Sequence, residues 1–79
     1  MRRTTLTFRL SSHGIQQDLL HEFSLHRDVI ACAVEEDDHP TIAVETRDAP
    51  ADLWDVRATV GMFDEAAEEV VTDEDRPRV

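Results

Sequence analysis

Two histidines lie in the run His-Glu-Phe-Ser-Leu-His, and paired histidines on one helix face are common ligands of catalytic zinc. His21 and His26 are five positions apart, whereas the zinc-binding pattern needs four. Five steps along a helix turn the second imidazole about 140° away from the first, so the two cannot share one metal in that geometry. We therefore expect no zinc site here, and we expect His26 to border the core beside Ile15 and Leu19.

The single cysteine is the other candidate for chemistry. Cys32 has His13, His21 and His39 elsewhere in the chain, but no CxxC or HxxxH pair brings such ligands together. One cysteine also excludes an intramolecular disulfide. Free cysteine in a strand usually behaves as a small hydrophobic residue, so we expect Cys32 to be buried.

The carboxylates of residues 35–38 raise the question of calcium. The run lacks the alternating ligand positions and the turn-forming glycine of a calcium loop, so it predicts a solvated turn. Gly14 and Gly61 are the only glycines, which argues against a phosphate-binding loop. No oriented base is apparent for a Ser or Cys nucleophile. We expect a chain without catalytic residues, cofactor or metal.

The periodicity of the first half predicts a strand, a helix and a β-hairpin. Residues 4–10 alternate between polar and apolar as a strand with one solvated side does, and a helix should begin at Ser12 or His13 and run to about Leu25. Strands are expected over residues 29–35 and 41–46, with a polar turn over 36–40. Within each element, certain residues should lie on one face. These sets are Leu6, Phe8 and Leu10 in the first strand; Ile15, Leu19 and Phe23 in the helix, where they face inward; Ile30, Cys32 and Val34 in the second strand; and Ile42 and Val44 in the third.

The last segment, residues 49–71, predicts one long helix, capped by Asp48 or Ala49 and with Pro50 in its first turn. Its core stripe would be Leu53, Val56, Val60, Phe63, Ala67 and Val70, at steps of three and four residues. A second apolar stripe of Trp54, Ala58 and Met62 lies on roughly the opposite side. Because a solvated helix gains nothing from an exposed tryptophan, this second stripe predicts a protein partner.

The order of elements is then βαββα. We expect an α+β fold with a three-stranded antiparallel sheet and both helices on one face, in a single domain over residues 1–71. Residues 72–79 should form a disordered acidic tail. A domain near this size buries only about 60% of the surface of its unfolded chain, so association with another chain would add needed stability.

The charge composition excludes some partners. Net charge is −10, and all eight cations are arginine. In molar salt the Debye length falls to about 3 Å, which screens such a surface, so the composition indicates a salt-loving organism. Clustered cations are confined to Arg2, Arg3 and Arg9, which argues against autonomous nucleic-acid binding. No apolar run suits a signal peptide or a membrane span, and we expect a cytoplasmic protein.

The layout and one segment of the last helix carry a family resemblance. With its length, its element order and the run Leu-Trp-Asp-Val-Arg-Ala-Thr-Val-Gly-Met-Phe over residues 53–63, the chain resembles the small Pcc-type subunit of the KEOPS complex, which makes threonylcarbamoyladenosine in tRNA. Arg57 and Val60 match an Arg-x-x-Val-Asn pattern of that family, whereas Gly61 stands where Asn is common. The Pro-Asp or Pro-Glu often seen after the first helix is also replaced, by residues 24–28.

The resemblance implies a non-catalytic subunit that dimerises by extending its sheet, with a second copy or with a paralogue, and docks its last helix on the catalytic KEOPS subunit. The chain would be the main subunit or a diverged paralogue of it, belonging to a halophilic archaeon. Together with the second stripe, the expected partner-binding residues are Trp54, Arg57, Ala58, Val60, Gly61 and Met62.

Two other functions fit parts of the pattern. One is a small haloarchaeal ligand-binding or regulatory domain. The other is a metallochaperone-like ferredoxin-fold module, which would need a fourth strand after the last helix and paired cysteines near Gly14. The sequence predicts neither feature, since the loop there reads Ser-Ser-His-Gly.

Overall fold

A computed structural model describes residues 2–36 and 39–70 of the chain. Its elements, in chain order, are β1 (Arg3–Arg9), α1 (His13–Ser24), β2 (Ile30–Glu36), β3 (His39–Arg47), α2 (Pro50–Phe63) and β4 (Glu68–Val70). The strands form one antiparallel sheet in the order β2-β3-β1-β4. The α+β class is thus confirmed. The βαββαβ order with this strand arrangement is the split βαβ, or ferredoxin-like, topology.

The alternation in β1 and β3 places the core on one face of the sheet, as predicted. Register pairs Leu6 with Val44 and Phe8 with Ile42. All four are at most 8% exposed and pack with Leu10 and with residues of both helices. His39 and Pro40, predicted in the turn, are the first residues of β3, and Asp37 and Asp38 of that turn lie outside the described residues.

Helix α1 begins and ends close to its predicted limits. The Ser12 hydroxyl caps it by accepting a hydrogen bond from the Ile15 N–H at 3.2 Å. Leu19 and Phe23 are fully buried and Ile15 is half-buried against the core. His26 lies beyond the helix end, with its ring against Phe23 at 5.7 Å between centroids.

The prediction of a single helix over residues 49–71 was wrong. Helix α2 has Pro50 in its first turn as expected, but it ends at Phe63, and residues 68–70 form a fourth strand against β1. Asp64 leaves the helix in an extended conformation because its carboxylate is held by Ser11 at the end of β1. The chain then supplies partners for the second edge of β1. The described part of the chain thus forms four strands, where three were predicted.

The burial of Cys32 was also wrongly predicted. Its backbone partner is Ala43, and the buried residues Ile42 and Val44 pair instead with Ala33 and Ala31. Since directly paired residues share a face, Ala31 and Ala33 point toward the helices and Cys32 points to the helix-free face. Cys32 is accordingly exposed, and Ile30 beside it on that face is 61% exposed.

Beyond Val70 nothing is described, so the predicted acidic tail of residues 72–79 lies outside the described residues. Within those residues, neither helix is long and apolar enough to cross a membrane.

Candidate interaction surface

Helix α2 carries its largest exposed apolar side chains on the side away from the core. Its inward residues Val56 and Val60 are each 2% exposed, whereas Trp54 is 68% exposed and Met62 is 84% exposed. Met62 follows Trp54 by eight positions, so they lie about two turns apart on the outer side. Neither folds back over the sheet. The outer side of α2 therefore keeps an apolar surface in water, and we call it the α2 surface, made of Trp54, Ala58, Gly61 and Met62.

The middle of the α2 surface is a shallow depression, because the side chains there are small or absent. Ala58 is half-buried, and a Cβ placed on Gly61 would meet no atom within 4 Å. The backbone of α2 is thus accessible between two large side chains. Glycine within a helix costs about 1 kcal/mol relative to alanine, and no contact within the described structure requires it. A low centre flanked by large apolar groups is a shape into which another protein segment can pack closely.

Arg57 lies beside this surface and is held by an ion pair. Its Nε donates to Glu69 Oε1 at 2.7 Å and its Nη2 donates to Oε2 at 3.2 Å. This two-pronged contact joins α2 to β4, because Glu69 is the middle residue of that strand. Both side chains remain substantially exposed, so the pair orients β4 more than it stabilises the fold.

A groove of about 230 Å³ runs between α2 and β4. The buried side chains Phe8 and Val60 lie at its bottom with Ala67. Arg57 and Gly61 line it on the helix side. The groove and the α2 surface are therefore continuous at Gly61. Val60, predicted to contact a partner, belongs to the core and forms part of the floor of this groove.

A second hollow of about 170 Å³ lies on the other side of α2, between the helices. Its floor is Phe23 and Val56, and its rim includes Asp28, Asp52 and Asp55. Pockets for small molecules usually span about 300–1,000 Å³. Both hollows are smaller than that range.

The residues predicted to be capable of chemistry do not come together. His13 and His21 are exposed at opposite ends of α1, and His39 is exposed at the start of β3. His26 makes its polar contact with Glu22, at 3.3 Å from Nε2 to Oε2. Among residues 2–36 and 39–70, no three His, Cys, Asp or Glu side chains form a group that could hold a metal.

Sequence reasoning found the α2 surface but missed the groove beside it. Trp54 and Met62 stand out by helical spacing alone. Phe8, Ala67 and Glu69 become part of the surface only because α2 stops at Phe63 and the chain returns along β1. No local pattern in residues 64–70 signals that return.

No protein-family model, curated protein or solved structure matches this chain.

Proposed function

We propose that this protein is a non-catalytic dimerisation and docking subunit, and that the α2 surface binds a larger protein. The observation that carries the proposal is the exposure of Trp54 and Met62 on either side of Gly61. Tryptophan is enriched among the residues that dominate binding energy at interfaces, because its burial removes a large apolar area from water. An apolar side chain of this size contributes nothing to stability while it is in water, and a partner that covers it would gain the free energy of its burial.

The partner we propose is the catalytic subunit of the KEOPS complex, and the process would be threonylcarbamoyladenosine modification of tRNA in the cytoplasm of a halophilic archaeon. This assignment depends on the order of the first five elements and on the residues of the last helix that resemble the Pcc-type subunit. Arg57 and Val60, the two matching positions, also have roles within the protomer, in the ion pair with Glu69 and in the core. The geometry supports docking, and the resemblance alone supplies the identity of the partner.

Dimerisation through the sheet is the second part of the proposal. In the described residues the sheet ends at β2 on one side and at the three-residue β4 on the other. An unpaired strand edge presents free N–H and C=O groups that another strand can satisfy. A second copy of this chain or a paralogue would extend the sheet in this way.

The fourth strand bears on one alternative. A metallochaperone-like ferredoxin-fold module would need that strand, and the structure has it. Such a module would also bind its metal through paired cysteines, whereas this chain has Cys32 alone, and Cys32 is the third residue of β2 and does not lie in a loop beside a helix. The topology is shared, but within residues 2–36 and 39–70 no group of side chains could hold a metal ion.

A binding experiment with matched variants tests the docking surface. Wild-type protein, Trp54→Asp, Met62→Asp and Leu25→Asp would be titrated in molar salt against a purified catalytic KEOPS subunit from a halophilic archaeon. Leu25 is the control, since it is 67% exposed but lies at the end of α1. We expect Trp54→Asp to weaken binding by more than tenfold, which corresponds to about 1.4 kcal/mol. Leu25→Asp should bind as the wild type does.

The outcomes separate the two claims. Wild-type protein that fails to bind the KEOPS subunit refutes the identity of the partner. Binding that is equally strong for wild type, Trp54→Asp and Met62→Asp refutes the α2 surface. Circular dichroism of each variant establishes that the fold is retained, and both substituted side chains are exposed enough for this to be expected.

A further inference from the structure

The edge strand β2 has an unusual composition for a strand that ends a sheet. Ile30, Ala31, Cys32, Ala33 and Val34 are five consecutive residues without a charge, a proline or a glycine. Natural sheets commonly protect an exposed edge with a lysine, a proline or a bulge. The pairing of β2 with β3 is regular throughout, so no bulge interrupts this strand. The last two residues of β2, Glu35 and Glu36, are acidic, so the uncharged stretch of this edge is limited to the five residues from Ile30 to Val34.

The hydrogen bonds of β3 show which backbone groups of β2 point away from β3. Leu10 N donates to Pro40 O at 2.8 Å and Asp48 N donates to Arg2 O at 3.0 Å, so even-numbered residues of β3 turn their backbone groups toward β1. Odd-numbered residues of β3 therefore turn theirs toward β2, where Ala43 is the partner of Cys32. It follows that Cys32 points its backbone groups at β3, while Ala31 and Ala33 point theirs outward.

We propose that two copies of this chain join through β2 in an antiparallel pair whose two-fold axis passes through Cys32. This deepens the dimerisation part of the proposed function by naming the strand, the register and the partner. In this register Ile30 lies opposite Val34 of the other copy, and Ala31 lies opposite Ala33. Every residue of the uncharged run then faces another member of that run.

The register has a defined bonding pattern. The outward N–H and C=O groups of Ala31 bond those of Ala33 in the second copy, and the symmetry repeats the pair. Cys32 then lies opposite Cys32 of the second copy, at a non-hydrogen-bonded position, where paired Cα atoms lie about 4.5 Å apart. That separation is within the range of about 4.4–6.8 Å over which a disulfide can form. Registers in which one strand slides by two residues past the other would centre instead on Ala31 or Ala33.

The burial pattern agrees with this pairing. Ile30 and Cys32 are exposed at the edge, and Ile30 is 61% exposed. Both lie on the helix-free face with Val34, and the proposed register brings Ile30 of each copy against Val34 of the other. Aliphatic and β-branched side chains paired across strands stabilise a sheet. The dimer thus covers one of the large exposed apolar side chains that the protomer leaves in solvent.

Cysteine placement tests the register directly. Full-length wild type, Cys32→Ala/Ala31→Cys and Cys32→Ala/Ala33→Cys would be oxidised with copper(II) phenanthroline in molar salt. Two copper(II) complexes each accept one electron and become copper(I) as two thiols form one disulfide, and the two protons pass to water. We expect the wild type to form a disulfide-linked dimer at least tenfold faster than either shifted variant. Fastest crosslinking by the variant with cysteine at position 31 or 33 would refute the proposed register.

Proline tests the strand itself without a cysteine. Since the Ala33 N–H points outward and bonds nothing in β3, Ala33→Pro removes a donor that only the dimer needs. We expect this variant to sediment as a monomer, and the control Ala33→Val to sediment as a dimer with the wild type. A wild-type protein that is monomeric at all concentrations in molar salt, or an Ala33→Pro variant that remains dimeric while folded, would refute the proposal.

Cys32→Asp supplies an independent variant in case Ala33→Pro does not fold. Its side chain is exposed in the protomer, but two copies would place like charges directly opposite each other, which disfavours pairing. We expect at least a tenfold weaker dimer. These outcomes leave the α2 surface untouched: loss of the dimer with retained binding through Trp54 would refute only the β2 pairing.

Discussion

Ser11 donates two hydrogen bonds to the carboxylate of Asp64, one from its N–H to Oδ2 at 2.7 Å and one from its hydroxyl to Oδ1 at 2.8 Å. Ser11 follows β1 and Asp64 follows α2, so this contact joins two chain segments 53 residues apart. Asp64 also accepts from the Ala66 N–H at 3.0 Å and is only 6% exposed. One carboxylate therefore ends α2 and directs the chain toward β4.

Replacing this carboxylate should destabilise the fold. Asp64→Ala removes three hydrogen bonds to a charged acceptor and leaves the Ser11 N–H without its partner, so we expect the free energy of unfolding to fall by about 2–4 kcal/mol. Urea unfolding followed by circular dichroism measures this. Tryptophan fluorescence is a poor monitor, because Trp54 is exposed already in the folded state.

Asp55→Ala is the matched control for this prediction. Asp55 is an exposed carboxylate of α2 whose side chain has none of these contacts, and its loss should change stability by no more than about 0.5 kcal/mol. Equal effects of the two substitutions would show that the contact with Ser11 contributes nothing beyond the charge. Hydrogen exchange at β4 should also be faster in Asp64→Ala alone.

Acid should weaken the same contact. Burial raises the pKa of Asp64, but the hydrogen bonds from Ser11 and from the Ala66 N–H outweigh it, and the pKa is lowered from its ordinary value of 3.8. A lowered pKa in the folded state means that the contribution to stability is complete well above 3.8 and is lost as the pH falls through the folded pKa. We expect the stability difference between wild type and Asp64→Asn to be constant near neutral pH and to shrink below about pH 4.

Urea unfolding of both proteins across this pH range provides the measurement. The comparison with Asp64→Asn cancels the titration of the other carboxylates, which the two proteins share. A difference that grows as the pH falls would mean that the folded protein raises the pKa of Asp64, contrary to the contacts observed.

Sequence periodicity was sufficient for the parts of the fold in which each element repeats its own pattern. The alternation of Leu6, Phe8, Ile42 and Val44 predicted the buried face of β1 and β3, and Ser12 marked the start of α1. It was not sufficient for Cys32, because β2 is apolar on both faces and only its register with β3 decides which face turns inward.

The end of α2 shows the same limit more strongly. Ala67 and Val70 fit the helical stripe as well as they fit a strand, and the alanines and glutamates of residues 65–69 favour helix. The competing interaction is the contact between Asp64 and Ser11, which depends on a residue 53 positions away. The outward position of Trp54 and Met62 needed only the helix, whereas the groove beside them needed β4. Tertiary contacts thus decided what local propensity could not.

Substitutions at Gly61 should affect the stability of the protein and its binding to a partner differently. A methyl group there meets no atom within 4 Å, and alanine is the better helix former, so Gly61→Ala should stabilise the protein by about 1 kcal/mol. Gly61→Leu should also retain the fold, yet it fills the low centre of the α2 surface. We expect Gly61→Leu to weaken partner binding by more than tenfold while its urea midpoint stays at or above that of the wild type.

Alanine at position 61 serves as the control for the leucine variant. If the leucine variant binds its partner as tightly as the alanine variant does, close approach at Gly61 is not part of docking. A loss of stability in Gly61→Ala would instead show that the backbone at this position is constrained in a way that the open space beside it does not reveal.

Salt should stabilise the protein even though its ion pairs are screened. The chain has net charge −10, and the visible pairs, such as Arg57 with Glu69 and Arg3 with Glu45, are substantially exposed and contribute little. Raising the ionic strength from about 0.1 M to 1 M shortens the Debye length from about 10 Å to 3 Å, which removes most repulsion between surface carboxylates. Urea midpoints should therefore rise with KCl.

Glu65→Gln, at an exposed position, tests this explanation. The substitution should raise the urea midpoint in dilute salt and reduce the dependence of the midpoint on KCl. An unchanged dependence would point to an effect of salt other than screening.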